Sequence, residues 1–126
     1  MKRMIILTIL LLTLLGVISA KDKGKAEIRF EQSSHNFGTM RQGDPAVTHL
    51  FEFSNIGTAP LLITRTTTTC RCVTVESPKR PVKAGQKGVI SVTFDPKDKG
   101  VFNKTIEVHT NAGGGVIILL ITGEVQ

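Results

Sequence analysis

The sequence predicts an all-β domain, an immunoglobulin-like antiparallel β-sandwich of seven to eight strands. Three observations lead there. Apolar residues recur at every second position in short runs, as in Phe51 and Phe53 or Ile90, Val92 and Phe94, which places them on one face of a strand. Turn-forming clusters rich in Gly, Pro, Asn and Asp separate these runs, around 41–45, 55–60, 83–88, 95–100 and 111–115. No segment of the predicted domain carries a helical period.

The chain begins with Lys2 and Arg3, followed by an apolar run from Met4 to Ile18 and then Ser19-Ala20 ahead of Lys21-Asp22-Lys23. A basic start, a short apolar stretch and a small residue before a polar one predict a secretory signal peptide over residues 1–20, cleaved after Ala20. The apolar run of 15 residues is shorter than the roughly 20 that span a bilayer, so the mature chain is not expected to span a membrane. Lys21 rather than Cys follows the cut, which excludes a lipid-anchored lipoprotein. Residues 21–27 read as a flexible, Lys-rich leader and residues 28–126 as one domain.

Within the domain, Ile28 and Phe30 alternate with Arg29, and Phe37-Gly38-Thr39-Met40 leads into the first turn cluster. Val47, His49, Phe51 and Phe53 share one face of the clearest strand, and Leu50 breaks the polarity of the other. Asn55 to Pro60 is a turn in which Gly57 is free to take positive φ. Leu61 to Arg65 enters a run of four threonines, Thr66 to Thr69, whose β-branched side chains favour extended backbone. Val73 to Val75, Ile90 to Phe94, Phe102 to Val108 and Val116 to Thr122 supply the remaining strands. The predicted core comprises Phe37, Phe51, Phe53, Ile63, Ile90, Val92, Phe94, Ile106 and Val108.

Composition narrows the function classes. Without Lys2 and Arg3, 14 basic residues face 10 acidic ones, a modest excess that suits solubility or an anionic envelope surface. With no Trp, no Tyr and six Phe, the chain lacks the stacking platforms of a nucleic-acid binder, and no nucleic-acid partner is expected. The serines and aspartates form no nucleophile elbow, and paired carboxylates for acid–base chemistry are missing, so no enzyme and no cofactor is expected. Gly113-Gly114-Gly115 lacks the Lys-Ser/Thr of a phosphate loop and reads as a hairpin turn.

The order of several short motifs carries a family resemblance. Phe37-Gly38-Thr39, Asn55-Ile56-Gly57 with Pro60-Leu61, Cys70-Arg71-Cys72, Ala84-Gly85-Gln86 and Val92-Thr93-Phe94-Asp95 come in sequence. Phe102-Asn103-Lys104-Thr105-Ile106 and Ile121-Thr122-Gly123-Glu124-Val125 complete the set. Together they resemble the secreted bacterial Ig-like family catalogued as domain of unknown function fifteen-seventy-three, which is similar to abnormal-spindle/hydin and major sperm protein domains. Those related domains are mainly binding and assembly modules. With the signal peptide, the sandwich pattern and the lack of catalytic groups, a non-enzymatic binding or assembly module in the periplasm or outside the cell is expected, with an envelope protein or surface component as partner. The resemblance implies no catalytic residue. The family's Cys-Gly-Cys-Thr departs here to Arg71 and Val73, so no role for that glycine carries over.

Chemistry concentrates at Cys70 and Cys72, the two cysteines of the chain. In a strand, side chains two apart lie on one face about 6.6 Å apart along the chain, whereas a disulfide wants its Cβ atoms at about 3.8 Å. A local bridge therefore requires the backbone to leave the strand. Four readings stay open: a structural pair, a redox or intermolecular disulfide, a soft-metal site such as one for Cu(I), and no assigned role. His35, His49 and His109 are the remaining metal-ligand types considered, and none lies at ligand spacing. His49 reads as a half-buried histidine bonded to backbone. Val116 to Ile121 is apolar on both faces, so one face must look away from the core, and Ile117, Leu119 and Ile121 are the candidate partner-binding positions.

Overall fold

In a computed structural model, residues 24–126 form two four-stranded sheets packed face to face, and these are the residues described here. The expected signal peptide and the first residues of the leader lie outside them. The strands are β1 (Ile28–Phe30), β2 (Ser34–Met40), β3 (Val47–Asn55), β4 (Ile63–Thr68), β5 (Val73–Glu76), β6 (Lys87–Phe94), β7 (Gly100–Thr110) and β8 (Val116–Val125). One sheet runs β1-β3-β6-β5 and the other β2-β8-β7-β4.

The expected antiparallel sandwich holds for every pair but one. β2 lies parallel to β8, because the chain crosses between sheets after β1 and continues in the same direction. The β4–β5 connection makes another edge-to-edge crossing, at the other side of the sandwich. The β4–β5 crossing carries the cysteines.

The period of two becomes a core of interdigitated side chains. Phe51, Phe53, Ile90, Val92, Ile106, Val108, Leu119 and Ile121 are all buried, as are Phe94 and Ile63. Of the predicted core only Phe37 is half-buried; it packs on the cluster from edge strand β2. The stacked rings of Phe94 and Phe102, with centroids 4.0 Å apart, tie the two sheets together near the cysteine crossing.

Two local expectations are corrected. The leader is not free through residue 27: Lys25 O accepts the amides of Thr58 and Ala59, Glu27 O accepts that of Ile56, and Ala26 is buried. The turn at 55–60 holds this segment through the side chain of Asn55, which accepts the amide of Glu27. Nor does Gly57 use positive φ. A Cβ there would collide with the backbone of Lys25 to Glu27, so glycine permits the close approach of the leader.

Candidate functional site

The site begins with strand register. Thr66 pairs with Val108 and Thr68 with Ile106, so these threonines share the core face of the β4–β7 pair. After Thr68 the strand stops. The amide of Val73 donates to Cys70 O at 3.2 Å, which folds Cys70 to Val73 into a turn. The turn brings the Cα atoms of Cys70 and Cys72 to 5.2 Å, within the ordinary span of a disulfide, and the two are bridged. Leaving the strand is what makes the local bridge feasible. Arg71 sits exposed between them without positive φ, so this turn has no need of the glycine common in the family.

Hydrogen bonds hold the turn on both sides. Thr68 Oγ1 accepts the amide of Cys70 at 3.4 Å, and Cys70 Sγ accepts that of Cys72 at 3.2 Å. Cys72 O accepts the amide of Asp95 at 2.9 Å, joining the turn to the end of β6. The bridge closes a ring of only three residues and does not join distant segments. In the chain-entropy picture such a ring stabilises the fold by about 1.6 kcal/mol, against about 4.7 kcal/mol for a 100-residue loop. With both sulfurs in the disulfide, neither is a thiolate available to a soft metal.

Both half-buried cysteines line a cavity of about 150 Å³ with Phe94, Asp95, Phe102 and Lys104. Lys104 stands directly across from the buried Ile121, on the same face of β7 as Phe102, Ile106 and Val108. An ammonium on a core face requires an opening, and the early end of β4 supplies it. Continuing the β4–β7 register by two residues from Thr68 and Ile106 would set residue 70 opposite residue 104. Asp95, at the cavity wall, is engaged by Lys97 at 3.5 Å.

A second cluster lies where β2 crosses to its sheet. The rings of His35 and His49 stack with centroids 3.6 Å apart and planes 8° from parallel. Phe37 and Phe51 meet them edge to face. His49 is thus partnered by a ring rather than by the expected backbone group. Burial, and then the neighbouring charge of His35, hold its imidazole below the ordinary histidine value. Among the described residues no three His, Cys, Asp or Glu side chains converge as a metal site.

The candidates on β8 are corrected. Leu119 and Ile121 are buried in the core and Ile117 packs against it, so none of the three is free to meet a partner. Their neighbours Val116 and Ile118 are 44% and 47% exposed on the outer face, with Leu120 half-buried beside them. The run is apolar on both faces, so periodicity left the phase open; the pairing of Ile106 with Leu119 sets it. On the same outer face, Glu107 accepts hydrogen bonds from Thr67 at 2.9 Å and His109 at 3.3 Å. These bonds hold its carboxyl below the usual glutamate value.

Reading the sequence missed two features. The His35–His49 stack joins residues from different sheets and left no local signal. Lys104 did leave one, since alternation between Phe102 and Ile106 already placed it on the apolar face.

Two open-ended sheets with switched edges define an Ig-like sandwich of the PapD-like kind. The fold of a protein of unknown function from Porphyromonas gingivalis matches with a TM-score of 0.68 at 17% identity, over 86% of this chain and 50% of that one. This chain therefore spans half the length of that protein. A PapD-like (ASH) domain of human CEP192 matches with a TM-score of 0.61 at 17% identity, over 86% of this chain and 91% of that domain. A C. elegans MSP family member matches with a TM-score of 0.50 at 9% identity, over 79% of this chain and 97% of that one. No curated protein matches. The model of the family described as protein of unknown function (DUF1573) matches residues 28–125, and the chain belongs to that family.

Proposed function

We propose that this chain is a non-enzymatic binding or assembly module that works in the periplasm or outside the cell. Its partner is an envelope protein or surface component. The observation that carries this reading is the stripe of Val116, Ile118 and Leu120 on the outer face of β8. β8 is an interior strand of its sheet, so these side chains are not needed to close an edge. They lie beside Thr105, Glu107 and His109 of β7, their register partners, which gives an apolar centre with a polar flank. The basic start and short apolar run of residues 1–20 support export.

The test compares the wild-type chain with an Ile118→Thr, Leu120→Ser variant as bait in an envelope extract. The variant is expected to keep its thermal midpoint within a few degrees and to lose the partner that the wild type recovers. Recovery of the same partner by both chains would refute the role of this face.

A further inference from the structure

The binding role does not use the cavity at the cysteine turn. The bridge there spans a three-residue ring, staples no distant segments and yet is held half-buried against the core. Cys70, Cys72 and Lys104, which the strand alternation places on the core face of β7, line one small cavity. Structural stabilisation accounts poorly for this combination, because so small a ring removes little chain entropy. Cations beside sulfur stabilise the thiolate, which is the leaving group when a disulfide is opened.

We propose that Cys70–Cys72 is a thiol–disulfide exchange site whose co-substrate is a protein or peptide dithiol, with Lys104 positioned to receive the charge of the departing sulfur. A thiolate of the dithiol attacks one sulfur of the bridge. A mixed disulfide forms, the Cys70–Cys72 bond breaks, and the electron pair leaves on the other cysteine as a thiolate. The second thiolate of the co-substrate then attacks its own sulfur in the mixed disulfide and releases the remaining cysteine. Two electrons have passed to Cys70 and Cys72, the co-substrate has become a disulfide, and its two protons end on the cysteines or in solvent. Lys104 is a positioning residue here. Among the other charged residues that line the cavity, Asp95 is paired with Lys97, and Asp98 and Lys99 carry opposite charges.

The experiment uses the full domain and a synthetic peptide dithiol. Reduction is followed by mass after thiol capping, while circular dichroism reports the sandwich. Two thiols should appear with the β signal intact, and a Cys70→Ser or a Cys72→Ser chain should trap a mixed disulfide with the oxidised peptide. The pH profile of alkylation of the reduced chain should show a midpoint about one pH unit below the 8.5 of a free thiol. Lys104→Met should move that midpoint back up, and Lys104→Arg should leave it in place. Should Lys104→Met fail to fold, the profile of the wild type and of Lys104→Arg still decides the matter. Thiols that appear only when the chain unfolds, no trapped mixed disulfide, or a wild-type midpoint at 8.5 would each overturn the proposal. A midpoint unmoved by a folded Lys104→Met would remove Lys104 from it.

Discussion

Replacing Asn55 tests how the turn at 55–60 holds the leader against the domain. Its side chain is fully buried and makes four hydrogen bonds. Oδ1 accepts the amides of Glu27 at 3.3 Å and Gly57 at 3.0 Å. Nδ2 donates to Ala59 O at 2.8 Å and Val82 O at 2.9 Å. In Asn55→Ala, Val82 O still receives the amide of Leu61. The amides of Glu27 and Gly57 and the carbonyl of Ala59 lose this partner. At about 1–3 kcal/mol for each buried group left unpaired, and with these groups partly exposed, the loss is about 3–5 kcal/mol. That is a large share of the roughly 5–15 kcal/mol that holds a domain of this size folded. With a urea slope of about 1.5 kcal/mol/M, the midpoint should fall by about 2–3 M. Asn55→Asp separates hydrogen bonding from volume. It keeps the accepting oxygen but sets a second oxygen against two carbonyls, which raises the folded-state pKa above the unfolded value of about 3.9. For an acid with a raised folded pKa, stability is present below the unfolded value and is lost as pH rises through the folded one. The Asp variant should therefore approach the wild type on acidification. An Ala variant within 1 kcal/mol of wild type, or an Asp variant insensitive to pH, would refute the reasoning.

Phe51→Ala removes a ring that is 1% exposed and should cost about 3–5 kcal/mol in denaturant melts. A loss under 1 kcal/mol would contradict the packing of β3. The depressed pKa of His49 predicts that stability is fully present above the unfolded histidine value of about 6.5 and falls as pH drops through the folded value. Chemical denaturation across that window, in the wild type and in His49→Phe, should show the slope only in the wild type; equal slopes would assign it elsewhere.

How far the fold could be read depended on whether a strand buries one face or two. β3 and β6 set apolar residues at every second position of one face, so Phe51, Phe53, Ile90, Val92 and Phe94 were assigned to the core from period alone, and they are buried. β8 is apolar on both faces, and a shift of one residue exchanges the two faces of a strand. The phase then rests on partners distant in sequence, such as Ile106 against Leu119. Gly57 shows the same limit at a turn. Its glycine character was legible, but the approach of Lys25 to Glu27 that requires it comes from more than 25 residues away.

The cysteine site separates what a local pattern can carry from what it cannot. Spacing alone dictated that two residues apart in a strand do not bridge unless the backbone bends, and the turn at Cys70 to Val73 supplies that bend. Spacing could not say where β4 would stop. Had the strand run two residues further, residue 70 would have paired opposite residue 104. Because it ends at Thr68, the crossing to the other sheet opens a cavity at the level of Lys104. Strand length, which is set by the two sheets together, thus determines whether the inward lysine is an electrostatic defect or a partner for sulfur.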